Sequence, residues 1–161
     1  MTAAATLQLA TPSDREVQVT RVFAAPRALV FDAHTKPELV RRWLLGPEGW
    51  TMPVCEIDLR VGGGYRYVWR HADGREMMMG GTYREIVAPE KIVQTELFDE
   101  DWTGGETVGT LVLTEQGGRT TLTQTTLYAS KAARDGALAS GMTEGMEVGY
   151  DRLAALLAEL G

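Results

Sequence analysis

Few side chains in this sequence could carry chemistry, and they are scattered. Nitrogen and sulfur ligands are limited to His34, His71 and Cys55, and no two stand at the short spacing that brings donors onto one metal ion. The sequence therefore implies neither a metal nor a cofactor. His71 precedes an Asp73-Gly74 turn, a setting that favours a solvated imidazole over a catalytic base. A serine or cysteine nucleophile needs a base held beside it, and no local signature supplies one for Ser130, Ser140 or Cys55. Cys55 reads instead as a small buried residue.

The carboxylates are no more convergent. Glu56 and Asp58 alternate with Cys55, Ile57 and Leu59, which places them on an outer face where Arg60, Arg66 or Arg84 can pair with them. Glu76 and Glu96 enter an interior only if their strands shift register. Gly62-Gly63-Gly64 joins two strands and opens no helix, so it fails the structural test of a phosphate loop. No catalytic set is assigned, and the residues favour a binding protein over an enzyme.

Binding chemistry is better represented. Tyr65, Tyr67 and Trp69 share one strand face by alternation, and Met77, Met79, Gly81 and Tyr83 share a face of the next strand. Rings offer apolar area with a polar edge, and thioethers adapt to irregular shapes. Core packing and ligand binding both account for such faces.

The element that must organise them is the C-terminal stretch 141–160. Met142, Met146, Gly149, Leu153, Leu156, Leu157 and Leu160 recur every three or four residues with charged residues between, the pattern of an amphipathic helix about 28 Å long. Its leucine-rich half fills space. Its first half, with Met142, Met146, Gly145 and Gly149, leaves space open.

Upstream, residues 1–14 read as a flexible tail in which Leu7 and Leu9 pair weakly onto a sheet edge, and residues 15–161 as one domain. Residues 16–24 alternate as a strand. Pro26 and Pro37 suit the first turns of two short helices, the second with a capping-type Thr35 to Glu38 spacing and ending at Gly46-Pro47. Six strands follow, separated by turns at Gly62-Gly63-Gly64, Asp73-Gly74, Pro89-Glu90 and Gly117-Gly118 and by an acidic loop containing Trp102. Short links between consecutive strands, with helices segregated from them, predict an α+β domain built on an antiparallel meander.

A length of 161 residues with 44% hydrophobic composition supports a single packed core. The net charge of −6, with no basic cluster, argues against nucleic acid and anionic membrane partners. No apolar run is long enough to cross a membrane, and the start lacks a secretory pattern, so a cytoplasmic protein without membrane insertion is expected.

Several ordered phrases make the chain similar to a known superfamily. They are Val22-Phe23-Ala24-Ala25-Pro26 leading into Val30-Phe31, Pro37-Glu38-Leu39 with Trp43, Asp58-Leu59-Arg60-Val61-Gly62-Gly63, and Gly81-Thr82-Tyr83-Arg84-Glu85-Ile86 with Pro89-Glu90. Thr120-Thr121-Leu122-Thr123 and Gly149-Tyr150 complete the set. Together they resemble the START-like, helix-grip superfamily (SRPBCC), in its branch related to the activator of heat-shock-protein ATPase. The resemblance implies about seven antiparallel strands curled around the C-terminal helix, with a cavity between them. The chain departs from the pattern at Arg42 and Val61, where the family often carries a second Trp and a Pro, which bears on the pocket mouth.

With alternation, the resemblance gives a candidate ligand-binding set of Trp43, Tyr67, Trp69, Met79, Tyr83, Met142 and Met146, with Trp102 as a loop gate. The expected partner is a small hydrophobic molecule. A chaperone-interacting domain and an enzyme acting on a cavity-bound substrate are the alternatives, the latter favoured by an inward Glu76, Glu96 or His71. Family habit and exposed strand edges make a homodimer an option.

Overall fold

The computed structural model describes residues 7–45, 48–100 and 104–161. Eight strands form one antiparallel sheet in the order β1-β2-β8-β7-β6-β5-β4-β3. These are β1 (Gln8–Ala10), β2 (Glu16–Phe23), β3 (Trp50–Ile57), β4 (Gly64–His71), β5 (Glu76–Val87), β6 (Lys91–Phe98), β7 (Thr107–Gln116) and β8 (Arg119–Leu127). Helices α1 (Arg27–Thr35) and α2 (Pro37–Trp43) interrupt the strands after β2, while α3 (Lys131–Ala139) and α4 (Met142–Leu160) follow β8. This is the expected helix-grip architecture, with eight strands in place of about seven.

The extra strand comes from within the expected tail. Gln8, Leu9 and Ala10 pair with Thr20, Val19 and Gln18 of β2, and Leu7 packs on the core. An unpaired edge of β2 would otherwise expose a row of backbone donors and acceptors. β8 covers the other edge of β2 in continuous register from Glu16↔Leu127 to Phe23↔Thr120.

Turn chemistry fixes the meander. Gly117 and Gly118 form a two-residue connection with φ of +59° and +76°, the pair of left-handed conformations that lets a tight hairpin follow the strand twist. At the β4–β5 turn, the Asp73 carboxylate accepts from the Arg75 amide at 2.9 Å.

Strand β2 alternates strictly, with Val17, Val19, Arg21 and Phe23 inward. Arg21 is 6% exposed because it reaches beneath α4, where its Nη1 lies 2.7 Å from Asp151. On α4, Gly149, Tyr150, Leu153, Leu156 and Leu157 are buried. Leu160, expected on that stripe, is 39% exposed at the last turn. Leu59 is likewise exposed, since β3 ends at Ile57 and the alternation lapses with it.

Two further expectations are corrected. Thr35 does not cap α2; it is the last residue of α1, and its hydroxyl donates to the Phe31 carbonyl at 2.9 Å. The expected order passes from the last strand to the C-terminal helix, but helix α3 stands between them, started by Ser130, whose Oγ accepts from the Ala133 amide at 3.0 Å. No helix among the described residues is long and apolar enough to cross a membrane.

Candidate functional site

From β4 to β8, the inner face of the sheet stands back from the first half of α4. Between them, closed on one side by α1 and α2, lies a cavity of about 550 Å³. Gly145 and Gly149 of α4 line it, and a Cβ at Gly145 would touch nothing within 4 Å. Helix α4 thus carries its packed leucines at one end and a retracted surface at the other.

One wall is aromatic. The rings of Tyr83, Tyr65, Tyr67, Trp69 and Phe98 follow one another with centroid separations of 5.6, 4.9, 5.7 and 6.4 Å, from the core out to the cavity. The polar edges of several rings are spent on scaffolding. Trp69 Nε1 donates to the Leu44 carbonyl at 2.7 Å, Trp43 Nε1 to Ala33 at 2.8 Å, and the Tyr65 hydroxyl to Thr95 at 2.6 Å. These bonds lock ring orientation and satisfy groups that would otherwise be buried unpaired. Trp43 also stacks on Tyr150, at 5.9 Å and 24°.

Of the residues expected to line a ligand site, Trp43, Tyr67, Trp69, Met79, Met142 and Met146 are all on the cavity wall. Tyr83 is corrected: its ring is 2% exposed and packs on Tyr65 behind the wall, filling core instead of facing the space. Trp102 lies outside the described residues.

The adjoining stretch of wall, from β6 to β8, is more polar, and of its residues only Glu96 had been named as a possible inward group. Ile92, Gln94, Glu96 and Phe98 of β6 face inward together, beside Thr107 and Gly109 of β7 and Gln124 and Thr126 of β8. Glu96 retains some surface against the cavity, yet its Oε1 is sealed and has no hydrogen-bond partner among the described residues. A Cβ at Gly109 would collide with that oxygen and stand 3.0 Å from Gln124 Nε2. Gly109 has no left-handed φ, so its value here is spatial: it vacates the recess that the carboxyl occupies. Burial raises the Glu96 carboxyl from 4.5 to about 7.

Nearby titratable groups supply no cation to it. His34 lines the same cavity with Nδ1 2.8 Å from the Val30 carbonyl, which makes Nδ1 the donor and leaves Nε2 unprotonated. Burial lowers that imidazole to about 4, so it is neutral at physiological pH. Burial also raises the hydroxyls of Tyr67, Tyr128 and Tyr150, Tyr128 to about 12, with the Glu96 charge adding to the effect.

The remaining chemical candidates stay outside. Glu76 is exposed and pairs with Arg70 at 2.7 Å; Asp58 pairs with Arg60 at 2.8 Å. His71 sits 3.1 Å from Asp73 and packs on Trp50 at the end of β4. Cys55 is buried, and burial pushes its thiol up to about 11, an inert state. No group of three or more potential metal ligands occurs among the described residues. Glu96 was legible in principle. Period two from Ile92 to Phe98 puts it on their face, but Val93 and Leu97 make the other face equally apolar, and only the glycine across the ladder breaks the tie.

A curled antiparallel sheet gripping a C-terminal helix around an internal cavity defines a helix-grip protein. The comparisons make the assignment specific. The family described as "Activator of Hsp90 ATPase homolog 1-like protein" matches residues 24–158, and the chain belongs to that family, within the SRPBCC superfamily. A crystal structure of a protein from Rhodobacter sphaeroides is 35% identical, covers 96% of this chain and 99% of its own, and superposes with a TM-score of 0.91. A solution structure from Staphylococcus epidermidis is 28% identical over 94% of each chain, with a TM-score of 0.81. A crystal structure of a protein from Chromobacterium violaceum is also 28% identical, covering 90% of this chain and 98% of its own with a TM-score of 0.76. No curated protein matches the chain.

Proposed function

We propose that this protein binds a small, predominantly apolar or aromatic molecule in the cavity between the sheet and α4. The observation that carries this reading is the cavity itself. Its volume of about 550 Å³ falls in the range of small-molecule sites, and its walls join an aromatic row to a short polar strip. Glycines on α4 keep the space open where leucine would close it. Native mass spectrometry of the purified protein tests for a retained molecule, and Met146→Trp supplies the control. The tryptophan should narrow the cavity and weaken uptake of a neutral aromatic probe such as naphthylethanol while the fold is kept. Undiminished uptake by a folded Met146→Trp protein would overturn the reading.

The inward Glu96 favours a second reading, an enzyme in which this carboxyl transfers a proton to or from a cavity-bound substrate. A carboxyl raised to about 7 is suited to that work near neutral pH. Turnover of a bound compound, lost in Glu96→Gln, would distinguish it from simple binding. The family's name points to a third role, read on the outer surface. Stimulation of a chaperone ATPase by the Met146→Trp protein, undiminished from wild type, would support it against both cavity readings.

A further inference from the structure

We infer that the ligand of this cavity carries a basic nitrogen, and that Glu96 is its counter-charge: the site is built for a lipophilic alkyl amine bearing an aromatic ring. The inference rests on the cavity being a binding site and names the chemistry that site selects.

The described lining of the cavity includes no lysine or arginine. Its wall holds one ionisable carboxyl, and nothing among the described residues pairs with the sealed Oε1 of that carboxyl. A buried carboxyl with one sealed and unpartnered oxygen is costly to the folded state, because burial penalises its charged form and leaves an acceptor empty. Local packing does not force it there, since Gly109 opens the recess that admits it. A side chain at position 109 would have excluded the carboxyl.

The titratable and charged groups around Glu96 identify the missing partner. From α1 comes His34, held neutral by burial; from β4 come Tyr65 and Tyr67; from the segment after β8 comes Tyr128; and from α4 comes Tyr150. None is a cation. The inward guanidinium of Arg21 is not on the cavity wall; its Nη1 serves Asp151 and the Glu147 carbonyl, and its Nε is buried without a partner of its own. The charge that complements the site must arrive with the ligand.

The rest of the wall suits a cation joined to an apolar body. Aromatic faces at Tyr67 and Trp69 attract cationic groups through their ring quadrupoles and also accept a flat hydrocarbon. Gln94 and Gln124 flank the carboxyl with amide groups for the remaining N–H bonds. A ligand acid would set a second negative charge beside Glu96. A neutral alcohol would leave the carboxyl without a counter-charge.

Three probes sharing one ring system test this by calorimetry: naphthylethylamine, naphthylethanol and naphthylacetic acid, each with the wild-type protein and with Glu96→Gln. At about pH 8, the wild type should bind the amine about tenfold or more tighter than the alcohol and bind the acid most weakly. Glu96→Gln should reduce amine affinity to that of the alcohol or below while leaving the alcohol within about threefold of its wild-type value. The wild-type preference for the amine should shrink from about pH 8 to about pH 5.5, as the carboxyl takes up a proton and the cation loses its partner, and should show no such change in the variant. Thermal unfolding of Glu96→Gln confirms that it folds. Equal binding of amine and alcohol by the wild type, or a preference that survives Glu96→Gln, overturns the inference and leaves the cavity reading standing. Binding of none of the three overturns both.

Discussion

Replacing Glu96 by glutamine should change stability in a way that depends on pH through one group. Folding raises this carboxyl from 4.5 to about 7 because its charge is buried. Across that interval the folded protein keeps a proton that the unfolded chain has released. The group's stabilising contribution is therefore fully present below 4.5, falls as pH rises, and is gone above about 7. At roughly 1.4 kcal/mol per pH unit, the interval is worth about 3 kcal/mol. Glutamine keeps the shape without the charge. Glu96→Gln should thus match the parent near pH 4.5 and exceed it by about 3 kcal/mol near pH 8, or by about 10 °C in Tm for a domain of this size.

His34 tilts the parent's own profile the other way. Its folded value is lowered from 6.5 to about 4, so the unfolded chain is protonated first as pH falls. That costs about 3 kcal/mol between 6.5 and 4, in the window where protonating Glu96 restores a similar amount. From these two groups alone, the parent should look nearly insensitive to pH between about 4.5 and 6.5. Subtracting the parent from Glu96→Gln removes the His34 contribution and exposes the carboxyl. Urea unfolding followed by tryptophan fluorescence, at steps from about pH 4.5 to about pH 8, gives the difference directly if the slopes agree. A difference that stays constant with pH, or a variant less stable than the parent near pH 8, would refute the assignment of Glu96 as a buried, unpaired acid.

Other substitutions probe the scaffold. Gly145→Ala should stabilise by about 0.5–1 kcal/mol, because alanine is the better helix former and its methyl enters open cavity; a thermal melt showing destabilisation would mean that the space is not there. Asp151→Ala should lose about 1–3 kcal/mol in urea unfolding, since it strips the charged partner from a buried arginine, and Arg21→Met in the same background should recover much of that loss. Gly117→Ala should cost about 1 kcal/mol, because a φ of +59° suits glycine and strains a residue bearing a Cβ.

The fold was legible where local chemistry and periodicity agreed. Strands β4 to β8 are bounded by turns whose residues announce themselves, and α4 by an uninterrupted spacing from Met142 to Leu157. What escaped depended on partners far along the chain. Arg21 looks like a solvent-facing residue until Asp151 is set above it. Helix α3 carries little apolar pattern, and its strongest signal was the single cap at Ser130. The aromatic half of the site could be read because rings alternate on one strand. The polar half could not, since Glu96 acquires meaning only from the missing side chain at Gly109 on the neighbouring strand and from the neutrality of His34, far back along the chain in α1.

The pairing of β2 with β8 also constrains how the chain can reach this state. Val17, Val19 and Phe23 are made early in synthesis, but the strand that covers their outer ladder, ending at Leu127, emerges roughly a hundred residues later, or about 5–20 s at ordinary elongation rates. Through that interval β2 has only the three residues of β1 as a sheet neighbour, and Tyr150 and Asp151 of α4, which meet its inward Phe23 and Arg21, come later still. Closure is a late, long-range event, so refolding should be slow for a domain of this size. A nascent chain must keep an apolar strand out of trouble until its last elements arrive.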